Sequence, residues 1–163
     1  YDSQAAGSKK SFNDYQVGEV IDHIDGNTIC EADHLFATRL WQNNSKVHFD
    51  INAREDRKRL IYGGHIISLV RALSFNGLEN AQLIVGINAG THANPVFAED
   101  TIYCWTEVLD KIDLNVRNIA ALRLRSVGTK EKNQSMKVKS DDGRYLPAIV
   151  LDLDYWVLVP REL

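Results

Sequence analysis

"GGHIISLVRALSFNGLEN", residues 63–80, decides the reading of the fold. Positions 66, 67, 69, 70, 72, 73 and 75 are apolar, and only Ser68, Arg71 and Ser74 interrupt them before Asn76-Gly77 ends the run. A helix with apolar residues around most of its circumference is expected to be wrapped in protein. Downstream, the segments 82–93, 100–112, 118–130 and 148–159 are long and rich in β-branched and aromatic residues, which predicts strands. "VLDLDYWVLV" alternates in part, and "ANPVFAED", "LNVRN" and "KSDDGRYLP" supply the turns.

Upstream, a short strand is expected near 19–25, with Val20, Ile21 and Ile24 as its apolar weight. A helix is expected at 31–42: Glu31 and Asp33 suit the positive end of its dipole, and Leu35, Phe36, Leu40 and Trp41 have helical spacing. Asn43-Asn44-Ser45 stops it. Residues 1–11 read as a disordered lead-in and 131–147 as a polar loop. There is no βαβ alternation, so the class is α+β. The expected architecture is an antiparallel sheet of about five long strands wrapped around a buried central helix, the hotdog, in one domain over 12–163. One such unit leaves a sheet edge and a groove open, so pairing is expected, as a homodimer or with a second hotdog half.

Bulk properties narrow the function. A chain of 163 residues with net charge −3 is one ordinary globular domain, and without a basic stripe it is not expected to bind nucleic acid. No apolar run approaches the roughly 20 residues that cross a bilayer, so no membrane partner is expected. The start, "YDSQAAGSKK", has neither a methionine nor an apolar signal core, and reads as a trimmed chain or a fragment of something longer. Cys30 and Cys104 make no disulfide framework; both read as small buried thiols in a reducing, cytoplasmic compartment. His23, His34 and His65 lack metal-ligand spacing, so no metal is expected. His92 reads as a surface residue or as the lining of a pocket mouth. No nucleophile elbow, P-loop or dinucleotide fingerprint is present.

"RLWQNNSKVHFD", residues 39–50, carries the chemistry. A helix start, a polar loop ending in histidine and then a glycine-led buried helix resemble the MaoC-like, or (R)-specific enoyl-CoA hydratase, family. That family's loop reads Gly-Asp-x-Asn-Pro-x-His-x-Asp and its central helix opens His-Gly-Met. Here His48 and Asp50 match, while Asn43, Ser45 and Lys46 replace the aspartate, asparagine and proline; Gly63-Gly64-His65 keeps only the glycine. "ATRLWQNNSKVHF", "YGGHIISLVRALSFNGLENA", "INAGTHANPVFAEDTIY" and "VLDLDYWVLVPR" are further similar to a narrower group, the mesaconyl-CoA hydratases, or β-methylmalyl-CoA dehydratases. These are double-hotdog proteins, and the chain would correspond to their C-terminal half.

The resemblance implies a lyase that reversibly adds water to a short branched enoyl-CoA thioester, mesaconyl-CoA first, with coenzyme A part of the substrate and no separate cofactor. Such a reaction needs a base for water and a donor to the thioester oxygen as it becomes an enolate. His48 is the candidate base, since an imidazole with a pKa near 6.5 accepts a proton at neutral pH. The N–H of Gly64, in the first turn of the helix, is the candidate donor, and bare Gly63 and Gly64 would let the thioester come close. Asn43 cannot ionise but can orient the water. Asp50 would share a face with His48 in extended backbone, or else braces the loop. Arg54, Arg57 and Lys58, in "REDRKR", are either CoA phosphate contacts or a solvated face. Two other functions fit the fold: a non-catalytic substrate-binding or dimerisation module of a larger hydratase, and an acyl-CoA thioesterase, which needs a carboxylate at the thioester carbonyl.

Overall fold

Strand β5 (Ile149–Pro160) shows how the sheet is built. Leu151, Leu153, Tyr155, Val157 and Val159 are buried against the core, while Asp152 and Asp154 face the other side, as the period-2 geometry of a strand requires. There they take bidentate bonds from Arg125 and Arg123 of the neighbouring strand. The computed structural model describes residues 5, 7–116, 118–132 and 137–162. Its sheet also contains β1 (Val20–Thr28), β2 (Leu83–His92), β3 (Thr101–Val116) and β4 (Ile119–Thr129), in the order β1-β3-β4-β5-β2 with every pairing antiparallel. Helix α1 (Glu31–Leu40) follows β1, and α2 (Gly63–Leu73) lies on the concave face of the sheet. This is the expected hotdog arrangement.

α2 reaches the sheet closely because Gly128 lacks a side chain: a Cβ there would stand 2.8 Å from Val70 Cγ2. Ile66 and Val70 are buried at this contact, and Ile67, Leu69 and Leu73 are half-buried around it. The helix, expected to be nearly wrapped, is covered less completely than that. The sheet curls around one side only, leaving Ser68, Ala72 and Phe75 exposed.

A chain of hydrogen bonds runs through the core. Arg71 Nη1 on α2 donates to Tyr155 Oη (2.7 Å), and Tyr155 donates to Ser126 Oγ (2.8 Å). Ser126 donates to Thr106 Oγ1 (2.7 Å), Thr106 to His23 Nε2 (2.8 Å), and His23 Nδ1 to the Asn76 carbonyl (2.7 Å). Only the ends are fixed, since a guanidinium donates and a carbonyl accepts. Burial holds the His23 pKa below the usual histidine value, and a neutral His23 protonated on Nδ1 gives the chain this direction.

Other expectations are modified. α1 buries His34, Ala37 and Thr38 and turns Phe36 and Leu40 outward, so its apolar spacing does not mark its inner face. Cys30 is exposed at the start of α1, while burial pushes the Cys104 thiol up to about 12. The expected lead-in 1–11 lies partly outside the described residues, but the Ser8 and Lys10 carbonyls accept from Asn80 Nδ2 (3.3 and 2.7 Å) and Ser11 is buried. The expected loop 131–147 also lies partly outside them; within it Lys139 and Tyr145 form a bridge, and Val138, Tyr145 and Leu146 pack on buried Trp105. Among the described residues no helix is long and apolar enough to cross a membrane.

Two outcomes follow from this packing. Gly128→Ala overpacks the helix–sheet contact and should cost about 1–3 kcal/mol in thermal or denaturant unfolding, with Val70→Ala in the same chain recovering part of the loss. Because the His23 pKa is depressed on folding, the unfolded chain binds the proton more readily; the stability this contributes is complete above the unfolded value of about 6.5 and is lost as pH falls below it. The melting temperature should therefore drop between pH 7.5 and 5.5, and His23→Gln should start lower with a shallower slope.

Candidate functional site

The segment between α1 and α2 is shaped by local polar contacts. Asn43 N donates to the Thr38 carbonyl (3.0 Å), and Asn43 Oδ1 accepts from Ser45 N (2.9 Å). The chain then tightens into a 3-10 turn over Lys46–His48, and Leu60 N donates back to the Val47 carbonyl (2.9 Å). His48 Nδ1 bonds the Leu60 carbonyl at 2.8 Å. A carbonyl cannot donate, so Nδ1 carries the proton and neutral His48 keeps its lone pair on Nε2.

His34, fully buried on α1, sets the position of this loop. Its Nε2 donates to the His48 carbonyl (2.8 Å), and its Nδ1 accepts from Tyr62 N (3.3 Å), the residue preceding α2. One neutral imidazole thus ties α1, the His48 turn and the start of α2 together. Burial lowers its pKa, the direction that keeps it neutral. The His48 ring lies edge-on to Tyr62, with centroids 5.9 Å apart.

His48 lines a cavity of about 410 Å3 together with Ile61, Gly63, His92, Asn94 and Val150. The N–H groups of Gly63 and Gly64 open α2 and find no acceptor among the described residues, so the cavity lies beside the positive end of a helix. The space that glycine leaves is already used: a Cβ on Gly63 would meet His92 Nε2 at 2.6 Å, and one on Gly64 would meet the Tyr62 ring at 2.6 Å. Gly64 itself lines a separate cavity of about 250 Å3 with Trp41, Tyr62 and Ser68.

The remaining expected residues are spread out. Asn43 and Asp50 do not line the His48 cavity. The 3-10 turn breaks the extended backbone that would have put Asp50 beside His48, and its carboxylate instead caps a second turn, Ile51–Ala53, by accepting from Asn52 N (2.9 Å). Arg54 forms a bidentate pair with Asp56 (3.0 and 2.6 Å), which holds that carboxyl at about 2. Arg57 and Lys58 line a third cavity of about 270 Å3 with Phe97, and Lys58 Nζ lies 5.7 Å from that ring's centroid. No carboxylate lines the His48 cavity, and no cluster suited to a metal occurs among the described residues.

No family model matches the chain. It is 58% identical over 161 residues to mesaconyl-CoA hydratase of Cereibacter sphaeroides and 53% identical over 167 residues to beta-methylmalyl-CoA dehydratase of Chloroflexus aurantiacus; each match covers 99% of the chain and 47% of the relative. A crystal structure described as that of a MaoC domain dehydratase from Chloroflexus aurantiacus superposes with a TM-score of 0.94 at 50% identity, covering all of this chain and 48% of that one. The chain is a MaoC-like hotdog. It spans about half the length of the relatives it matches.

The sequence of this MaoC-like hotdog marks out His48 and the glycines but not His34, and His92 is both exposed and part of the His48 cavity lining, as its two sequence readings had it. The signal for His34 was its spacing with Ala37 and Thr38, small or hydroxyl residues one turn on that let the helix side approach the loop. Removing the clamp leaves two partly buried backbone groups, the His48 carbonyl and the Tyr62 N–H, without these partners. His34→Ala should destabilise the protein by about 1–3 kcal/mol and broaden or shift the His48 ring resonances, read by thermal unfolding and by histidine NMR.

Proposed function

We propose that the intact protein is a lyase that reversibly adds water to the double bond of a short branched enoyl-CoA carrying a carboxylate, mesaconyl-CoA giving β-methylmalyl-CoA. The observation that carries this is His48: its Nδ1 proton is committed to the Leu60 carbonyl, leaving Nε2 as a lone pair in a cavity beside the α2 N-terminus. Nε2 takes a proton from water as the water oxygen bonds to the β-carbon. The thioester oxygen gains enolate charge beside the N-terminus of α2, where Gly63 lines the same cavity as His48 and Gly64 follows it, and the α-carbon then takes a proton from the imidazolium, restoring His48. The names of the two relatives agree with this reaction and its reverse.

The CoA arm has a natural direction. Segments 57–61 and 93–99 run side by side, joined by Ile61 N donating to the Val96 carbonyl (2.9 Å), and both line first the His48 cavity and then the Arg57–Lys58 cavity. Phosphates would meet Arg57 and Lys58, since Arg54 is held by Asp56 and Arg59 by Glu31. A second hotdog unit is the expected partner. Edge strand β2 exposes Leu83, Val85 and Ile87, a row that invites pairing, and the chain spans only about half of its relatives.

One observation favours a second reading, in which this hotdog is the non-catalytic half. Asn43 stands where the resemblance places an aspartate, its Oδ1 is tied to Ser45 N, and it does not line the His48 cavity. The thioesterase reading lacks its carboxylate. Turnover separates the first two. The intact protein should consume mesaconyl-CoA, followed by loss of enoyl absorbance, and His48→Ala should lower kcat by about 10²–10⁴-fold. Turnover that survives His48→Ala would move the chemistry to the other half.

A further inference from the structure

His92 is the last residue of β2 and points to the same side of the sheet as Gly90, whose missing Cβ would touch Leu153 in the core. It lies, still exposed to solvent, at the mouth of the cavity over the start of α2, where its Nε2 fills the space that a side chain on residue 63 would take. Its ring has no hydrogen-bond partner among the described residues, although it lines the same cavity as His48. Much of that cavity is apolar, formed by Leu60, Ile61, Ile66, Val96 and Val150. No arginine or lysine lines it.

A carboxylate brought into such a space needs a donor, or its desolvation goes uncompensated. The donors can be taken in turn. His48 Nδ1 is used by the Leu60 carbonyl, and its Nε2 must stay a lone pair to act on water. Asn94 Nδ2 already donates to the Leu146 and Ile149 carbonyls (2.9 and 2.7 Å). The α2 N–H groups face the thioester oxygen in the reaction described above. The side chain left with a free N–H is His92.

We propose that His92 is the specificity-determining residue of this site: its imidazole N–H binds the carboxylate carried by the reacting double bond of a dicarboxylic enoyl thioester. The proposal rests on the hydratase reading and adds what it selects. In mesaconyl-CoA that carboxylate is attached to the carbon that water attacks, so the group His92 holds lies next to the one His48 serves. Gly63 is then needed because any side chain there would displace the His92 ring.

The test compares mesaconyl-CoA with tiglyl-CoA, an isostere with methyl in place of the carboxylate. Binding of each is measured by calorimetry on the intact protein in the His48→Ala background. The ratio of the two dissociation constants should favour mesaconyl-CoA. His92→Ala should reduce that preference on the order of 10- to 100-fold, the worth of a hydrogen bond to a charged group. His92→Asn, which keeps a donor, should recover part of it, and Gly63→Ala should lose it as His92→Ala does. No preference before substitution, equal weakening of both thioesters, or an unchanged ratio would each overturn the proposal. Turnover of mesaconyl-CoA by the unsubstituted protein tests the hydratase reading separately, so the two can fail independently.

Discussion

The hydrogen-bonded chain from Arg71 through Tyr155, Ser126, Thr106 and His23 to the Asn76 carbonyl is the constraint on which the rest of the structure depends. It crosses β5, β4, β3 and β1 in sheet order, and both its ends lie on or just past α2. Apolar packing alone would allow α2 to slide or roll on the sheet, because dispersion and burial have no direction. A polar chain is directional: each of its bonds needs its partners at one distance and angle. It fixes where α2 lies and so where its N-terminus points.

That N-terminus borders the cavity proposed as the active site, and a second polar device shapes it. Tyr62, just before α2, gives its N–H to His34, and His34 gives its own N–H to the carbonyl of His48. Both imidazoles have their tautomers dictated by backbone carbonyls, with opposite results. His34 uses both nitrogens and becomes a strut; His48 uses one and keeps the other for the cavity. The same residue type serves structure in one place and is available for chemistry in the other, according to how many backbone groups it must satisfy.

The exposed surfaces point the same way. α1 turns Phe36 and Leu40 to solvent, Trp41 beside it is 56% exposed, and β2 presents Leu83, Val85 and Ile87 along an open edge. Exposed apolar area on this scale marks a contact surface rather than scattered single residues.

Much of the fold was legible in one dimension. The glycine-led apolar helix and the long β-branched strands are periodic patterns, and periodicity is a local property of the chain. So was the MaoC-like loop with His48, since its order survives four substitutions in the motif, at Gln42, Asn43, Ser45 and Lys46. Which residues share the cavity was not. The apolar spacing of α1 marked the wrong face, because hydrogen bonds to backbone groups, distant ones for His34 and one turn back for Thr38, can bury a histidine and a threonine as readily as leucines. Asp50 and Arg54 spent their charge on neighbours two residues away. His92, 29 positions past Gly63 in the sequence, became its nearest side-chain neighbour only when β2 paired with β5 and α2 docked beneath them. The sequence by itself determined the elements and one imidazole. Tertiary structure decided which tautomer that imidazole holds and which second imidazole faces the same space, because both depend on contacts between segments far apart in the chain.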